Sequence, residues 1–146
     1  MSQREKDKGL ETLQVWRRGM DFAVKVCKTV LPLFPEQEKW ALTAQLRRSV
    51  QSVPANIAEG YGRFSYQEGL RFGYIARGSL EGAYTQLTLA YELDCLDKFN
   101  YDSLNDELQN LRHLLNGYLA YLKKRQHEIR ESNSDVDYQV DPIPNP

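Results

Sequence analysis

The sequence has few of the residues from which metal sites and disulfide frameworks are built. It contains two cysteines and two histidines among 146 residues. Cys27 and Cys95 lack CxxC spacing, and neither His113 nor His127 belongs to an HExxH or a Glu-x-x-His motif. We therefore expect two buried, reduced thiols, no metal site and no cofactor.

Long apolar runs are also missing. No stretch of about 18 consecutive apolar residues occurs, and the charged N-terminal segment MSQREKDKGL has no apolar segment behind it. We therefore expect neither a membrane span nor a secretory signal, and a cytoplasmic location. With 41% hydrophobic and 27% charged residues, the composition is typical of one soluble globular domain.

Motifs for nucleotide binding and acyl transfer are absent as well. There is no P-loop and no GxGxxG, and Gly78-Ser79 lies inside a predicted helix rather than in a nucleophile elbow. Arg48, Asn56 and Glu59 remain as a polar group from which a catalytic pocket could be built, but a structural hydrogen-bond network is the favoured interpretation. We expect no enzymatic activity and no catalytic residue.

What the sequence does have is helical periodicity in four segments. Apolar residues recur at spacings of three and four, which keeps them on one side of an α-helix. With short connections, four such helices predict an all-α, antiparallel up-down-up-down four-helix bundle. The four series are Leu13, Trp16, Met20, Ala23, Cys27 and Val30; Leu42, Leu46, Val50, Val53 and Ile57; Phe72, Ile75, Ala76, Leu80, Ala83, Tyr84, Leu87, Ala90, Tyr91 and Leu93; and Tyr101, Leu104, Leu108, Leu111, Leu115, Tyr118 and Leu122.

Prolines, glycines and one capping pair predict where these helices begin and end. Pro32 and Pro35 end the first helix near residue 31 and open the second, for which Gly60 and Gly62 are expected to supply a left-handed stop. Ser65 followed by Glu68 is a capping box that starts the third helix, which is expected to run to about residue 95. We divide the chain into a flexible N-terminus (1–9), the bundle (10–127) and a disordered acidic, proline-rich tail (128–146).

The second helix carries an ordered row of polar residues beside its apolar face. We call Gln45, Arg48, Ser52, Asn56 and Glu59, spaced by three, four, four and three, the polar stripe. Pro54 lies within the same helix and should kink it, because proline cannot donate to the carbonyl four residues earlier. The nearest side chains that could hold the kink belong to Ser52 and Asn56.

The third helix has more apolar surface than one bundle core uses. Its apolar arc covers about half the circumference, against the roughly 100° that a surface helix needs. Gly69, Gly73, Gly78 and Gly82 each weaken it by about 1 kcal/mol relative to alanine, which favours close approach of another backbone. We therefore predict self-association. The predicted oligomer seam and polar network comprises Gln45, Arg48, Ser52, Pro54, Asn56, Glu59, Gly60, Gly78 and Gly82.

Charge is unevenly distributed although the net charge is only -1. Residues 39–77 carry six basic side chains and two acidic ones, whereas residues 78–107 carry one basic side chain and seven acidic ones. Arg47, Arg48, Arg71 and Arg77 are expected at comparable heights on helices two and three, with Tyr61, Phe64 and Tyr66 available to stack on bases. The alternative is solvated arginines with aromatic rings in the core. The predicted nucleic-acid-binding residues are Arg47, Arg63, Arg71, Arg77, Lys123, Lys124 and Arg125.

Several of these segments together resemble a known family. QLRRSVQSVPANIAEGYGR at 45–63, IARGSL at 75–80, LxVW at 13–16 and FPEQE at 34–38 are similar to bacterial proteins encoded in intervening sequences of large-subunit ribosomal RNA genes. The resemblance covers about residues 10–125 and implies an antiparallel four-helix bundle that forms homopentamers. Similar bundles are the accessory variability proteins of diversity-generating retroelements, which bind a reverse transcriptase and nucleic acid.

The family's characteristic polar positions correspond here to the polar stripe and Gly60. The chain departs from the family pattern at Glu81-Gly82, where two acidic residues usually follow GSL, and in its long acidic tail, which could compete for a basic face. The resemblance implies a non-enzymatic, pentameric accessory or scaffold protein that binds RNA, DNA or a partner such as a reverse transcriptase. The alternative is a structural oligomer or protein adaptor without nucleic-acid binding.

Overall fold

The computed structural model describes residues 9–139, with side chains described to residue 134. Four helices account for most of this part: α1 (Gln14–Lys25), α2 (Leu42–Tyr61), α3 (Tyr66–Glu92) and α4 (Lys98–Gln139). A π-helical turn, Val26–Val30, continues α1. No strand occurs within residues 9–139. The all-α prediction is confirmed.

Contacts between side chains fix how the helices run relative to one another. Along α2 and α3, Ser52 contacts Ser79 and Gly60 contacts Gly69, so residue numbers rise in one helix as they fall in the other, and the pair is antiparallel. Glu81 with Arg112 and Gly73 with Leu119 show the same for α3 and α4. The result is the predicted up-down-up-down bundle. α1 packs on both of its neighbours, through Gly19 with Pro54 of α2 and Lys25 with Glu107 of α4.

The core is formed by one apolar stripe from each helix. All five residues of the predicted α2 stripe are buried, and so are the five leucines of the predicted α4 series. The α1 prediction is partly wrong, because the buried face consists of Val15, Phe22, Ala23 and Val26, with Gly19 among them. Gly19 sets this rotation: a Cβ placed on it would lie 3.5 Å from the Cβ of Pro54, so this face of α1 packs on α2.

The helix ends follow their local chemistry with some differences from prediction. Ser65 caps α3 by accepting a hydrogen bond from the Glu68 backbone N–H at 3.1 Å, while the Glu68 carboxylate lies 3.0 Å from Arg71 Nε. α3 ends at Glu92 rather than near residue 95, because Asp94 takes a left-handed conformation with φ of 60°. The residues after Pro35 form a 3₁₀ turn, Glu36–Glu38, and α2 begins only at Leu42. The predicted left-handed stop is wrong, because α2 runs through Gly60 to Tyr61 and Gly62 follows with a right-handed φ of -74°.

α4 is longer than the sequence suggests. It continues to Gln139, so the predicted disorder from residue 128 needs correction over 128–139. Side-chain contacts one turn apart support this extension, namely the Arg125–Glu128 ion pair at 3.0 Å and the approach of His127 Nε2 to the Glu131 carboxylate at 3.2 Å. Beyond Leu122 the helix rises about 25 Å further at about 1.5 Å per residue. Residues 1–8 and 140–146, where the remaining flexible ends were predicted, lie outside the described residues.

Two further predictions concern the thiols and the membrane. Cys27 and Cys95 are free thiols, but both are half-buried rather than fully buried. Among residues 9–139, no helix combines the length and the apolar run that crossing a membrane requires.

Candidate nucleic-acid interface

One end of the bundle gathers basic and aromatic side chains from three helices. We define the bundle end as the end of α2, the turn after it and the start of α3 (59–72), the residues that lead into α1 (9–13) and residues 118–125 of α4. α2 and α3 approach closely there, because a Cβ placed on Gly60 would lie 3.1 Å from the Cα of Gly69. Leu122 of α4 packs on the other side of Gly69, at 3.3 Å from a Cβ placed on that glycine.

Two predicted arginines at this end share one aromatic ring. The guanidinium carbons of Arg63 and Arg71 lie 5.2 and 4.4 Å from the centre of the Phe72 ring. Arg63 also pairs with Glu59 at 2.9 Å, and Arg71 pairs with Glu68 at 3.0 Å. In each pair the two residues are three or four positions apart in sequence, and both side chains are largely exposed. Such ion pairs are weak, so they hold the arginines loosely.

α4 adds the second predicted basic group to the same end. Because Leu122 packs against Gly69, Lys123, Lys124 and Arg125 lie at the height of the first turn of α3, with side chains that point outward in different directions around α4. Arg125 lies over the Tyr66 ring at 5.7 Å, and a hydrogen bond and charge interaction with Tyr66 raise its pKa. The structure therefore brings together Arg63, Arg71 and the basic run at 123–125, which lie far apart in sequence.

Arg77 and Arg47 lie elsewhere, so the prediction of comparable heights is wrong. Ser79 faces Ser52, which places Arg77 near the level of residue 54, where it lies over the Tyr74 ring at 5.0 Å. With a rise of about 1.5 Å per residue, Arg47 is about 10 Å from the level of Arg77 and about 18 Å from that of Arg71. Sequence spacing predicts on which face of its helix an arginine lies, but it does not predict how far one helix is shifted along its neighbour.

Aromatic rings surround a hollow at the bundle end that we call the aromatic basin. It has a volume of about 470 Å³. Burial, with smaller contributions from Tyr61 and Tyr121, raises the pKa of Tyr118 to about 12, so its hydroxyl keeps its proton at neutral pH. The rings lining the basin are those of Tyr61, Phe64, Tyr66, Tyr118 and Tyr121.

Tyr118 and Tyr121 were not predicted as part of this group, because the sequence pattern assigns them to the apolar surface of the last helix. Their spacing of three could have signalled a shared face. Only the antiparallel register, however, places that face beside Tyr61 and Tyr66.

The polar stripe forms a hydrogen-bond network between α2 and α3. Asn56 Nδ2 donates to both the carbonyl and the hydroxyl of Ser52, each at 2.8 Å, and Ser52 Oγ lies 2.7 Å from Ser79 Oγ. Pro54 is buried against Gly19, and Glu59 pairs with Arg63. These contacts lie within one chain, and participation of the polar stripe in a subunit seam stays a prediction.

Other predicted seam residues differ in what surrounds them. Gln45 and Arg48 are exposed. A Cβ placed on Gly82 would lie 3.4 Å from Ser49 Oγ, whereas a Cβ placed on Gly78 would meet nothing within 4 Å. Gly60 and Gly82 thus serve packing of α2 on α3, and Gly78 faces open space.

Two apolar surfaces of the bundle remain uncovered. Ile75, Gly78, Leu89 and Leu93 form what we call the α3 ridge, in which Ile75 and Leu89 are 43% and 45% exposed. The second surface is an outer groove of about 440 Å³ between α1 and α2. Its apolar lining includes Trp16, Met20, Val24, Cys27, Pro54, Ala55 and Ala58.

Within residues 9–134, no three His, Cys, Asp or Glu side chains lie close enough together to hold a metal ion. Two of the three side chains considered as a catalytic group, Asn56 and Glu59, bond to other residues. Asn56 bonds to Ser52 and Glu59 pairs with Arg63, so their polar atoms point to separate partners.

Comparison with known proteins agrees with this architecture. A crystal structure of a protein with unknown function from the S23 ribosomal protein family of Bacteroides thetaiotaomicron VPI-5482 is similar, with a TM-score of 0.66 and 24% sequence identity. The similarity covers 72% of this chain and 97% of that chain and shows a shared fold. No curated protein matches the sequence. The family model of the 23S rRNA-intervening sequence protein matches residues 11–117, and the chain therefore belongs to that family.

Proposed function

We propose that this protein is a non-enzymatic, homo-oligomeric scaffold or accessory protein whose bundle end binds RNA or DNA. The observation that carries the proposal is the convergence of Arg63, Arg71 and the basic run at 123–125 beside a group of aromatic rings. Basic side chains neutralise phosphates, and aromatic rings stack on unpaired bases, so the combination is typical of single-strand binding.

Self-association is the second part of the proposal. The α3 ridge and the outer groove are two apolar surfaces on different helices of one chain, and contact between them would join copies head to tail. Such contacts close into a ring when the rotation between copies permits, and a pentamer is the ring that we propose. A ring would repeat the bundle end on every copy and raise the avidity for a long strand.

The partner could also be a protein that handles nucleic acid, such as a reverse transcriptase, as the resemblance to retroelement accessory proteins suggests. A specific observation keeps the alternative of a structural oligomer or protein adaptor. Arg63, Arg71 and Arg125 each have a glutamate within 3.0 Å, which offsets part of their charge. Phosphates would have to compete with these glutamates for the arginines. The protein binds nucleic acid if the phosphates win, and it is a structural oligomer or adaptor if the glutamates do.

Binding of single-stranded RNA across a series of salt concentrations tests nucleic-acid binding. We expect affinity to fall steeply with salt, and the Lys123→Ala/Lys124→Ala variant to reduce the log–log slope by about 0.7 for each phosphate that is no longer neutralised. Lys98→Ala is the matched control, because it removes an exposed lysine of the same helix at the opposite end of the bundle. Absence of binding at low salt, or equal slopes in all three proteins, would reject this part of the proposal.

Mass in solution, measured by light scattering, tests self-association separately. Ile75→Glu/Leu89→Glu places two charges on the α3 ridge and should shift the protein to the monomer. Ile129→Glu is the control, because Ile129 is 44% exposed, like the two ridge residues, and lies in α4 beyond Leu122, past the level at which α3 begins. A wild-type protein that is monomeric at micromolar concentration would exclude the scaffold.

A further inference from the structure

The aromatic basin has the shape and chemistry of a binding site rather than of unfinished core packing. Its volume of about 470 Å³ lies within the range of about 300–1,000 Å³ that small-molecule sites occupy. Two of its rings are far from buried, since Phe64 is 97% and Tyr121 is 54% exposed. Rings that served only the core would be covered.

The walls of the basin are held by close contacts between backbone segments. Gly9, at the start of the described residues, packs directly against the Tyr61 hydroxyl, which would have to move to admit a side chain there. Gly60 and Gly69 bring α2 and α3 together at its floor. The hollow is therefore defined by three helices whose positions are fixed, which favours a preformed site.

The lining combines aromatic faces with hydrogen-bonding groups. Besides the rings, it includes the hydroxyl-bearing residues Thr12 and Ser65 and the basic residue Arg63. A flat, aromatic ligand with polar edges fits such a lining better than an aliphatic one. Further cations lie at the same bundle end, namely Arg71, Lys123 and Arg125.

We propose that the aromatic basin binds one unstacked nucleobase of a single-stranded nucleic acid, while the adjoining phosphates contact the surrounding basic side chains. This inference rests on the proposed nucleic-acid binding and adds to it a site that reads the base. A base within a duplex is stacked on both faces and cannot enter, so the basin selects unpaired strands.

Binding of two strands of equal length and charge, measured by fluorescence anisotropy with the full chain, tests the inference. One is a single-stranded RNA, and the other is the corresponding sugar–phosphate strand without bases. Stacking on aromatic rings should make the base-bearing strand bind about 5- to 100-fold more tightly. Phe64→Ala and Tyr121→Ala should each reduce this ratio and leave the affinity for the abasic strand and its salt dependence unchanged.

Phe99→Ala is the matched control for Phe64→Ala, because it removes another highly exposed phenylalanine, at the opposite end of the bundle, and should leave the ratio intact. Equal affinity for the two strands, with strong salt dependence, would overturn the basin as a base site and leave the phosphate-binding function standing. Absence of binding to either strand at low salt would overturn both. A ratio that Phe99→Ala lowers as much as Phe64→Ala does would also overturn the basin.

Discussion

Gly60 and Gly69 meet backbone to backbone where α2 and α3 come together. A Cβ on Gly60 would lie 3.1 Å from the Cα of Gly69 and 2.9 Å from the Cβ of Phe72. Neither of those atoms can swing away as the end of a flexible side chain can. The contact fixes the separation of the two helices at the bundle end and thereby the position of the rings around the aromatic basin.

Replacing Gly60 with alanine should therefore destabilise the protein. We expect Gly60→Ala to lower the free energy of unfolding by about 1–3 kcal/mol, because the added methyl group would push the backbones of α2 and α3 apart. Gly78→Ala is the control, since a Cβ there meets nothing within 4 Å and alanine favours helix by about 1 kcal/mol. Denaturant unfolding measures both, and a Gly60→Ala variant as stable as wild type would contradict the close approach.

The hydroxyls of Ser52 and Ser79 should stabilise the α2–α3 pairing together rather than separately. Their oxygens lie 2.7 Å apart, and Asn56 donates to the same Ser52 oxygen. A double-mutant cycle with Ser52→Ala and Ser79→Ala should give a coupling energy of about 0.5–1.5 kcal/mol. Thr85→Ala is the comparison, because the Thr85 hydroxyl bonds within α3 to the Glu81 carbonyl. A coupling energy of zero would mean that the hydroxyls do not interact in solution.

Asp97 should make the stability depend on pH in the acidic range. The Asn100 backbone N–H and then its side-chain amide donate to the Asp97 carboxylate, and they lower its pKa. Because the folded pKa is the lower one, this contribution is present above the unfolded value of about 3.9 and is lost as pH falls through the folded pKa. Asp97→Ala should lower Tm at neutral pH, and the difference from wild type should narrow in acid.

Asp102→Ala, which removes an exposed aspartate one turn further along α4, serves as the comparison for Asp97→Ala and should change Tm little. A difference between Asp97→Ala and wild type that is independent of pH would show that the carboxylate charge is not involved.

Tyr118 should make the stability depend on pH in the alkaline range. Burial raises its pKa to about 12, above the ordinary value of about 10, so the folded state favours the protonated phenol. Stability is therefore complete below pH of about 10 and falls as pH rises toward about 12. Tyr118→Phe should lose less stability than wild type over this interval, as measured by thermal unfolding.

Absorbance titration of the phenolates provides an independent check on Tyr118. In wild type, one of the nine tyrosines should ionise well after the exposed ones, and this late step should vanish in Tyr118→Phe. Tyr74→Phe, which removes a more exposed ring of α3, should leave it in place. Persistence of the late step without Tyr118 would assign it to another residue.

The sequence predicted the helices that carry strictly periodic apolar residues. The α2 stripe and the α4 leucines are buried as expected, because a spacing of three and four leaves only one face for the core. α1 has two adjacent apolar series, and periodicity alone cannot choose between them. The decision came from Gly19, a residue without a side chain, through its contact with Pro54.

The candidate interface was predictable in its residue types but not in its arrangement. Arg63, Arg71 and the run at 123–125 were identified from their charge, and the structure gathers them at one end. Arg47 was misplaced because its height depends on the register of α2 against α3. That register is set by contacts such as Ser52 with Ser79, between residues that are distant in sequence.

α4 is one helix in geometry, but its two parts differ in what holds them together. Up to Leu122, one face of α4 is buried against the other helices, whereas every side chain from residue 127 to 134 is exposed. A helical segment without tertiary packing opens readily, so backbone amides beyond residue 126 should exchange with deuterium far sooner than those around Leu115. Limited proteolysis should likewise cleave α4 beyond residue 126 first and leave the bundle intact.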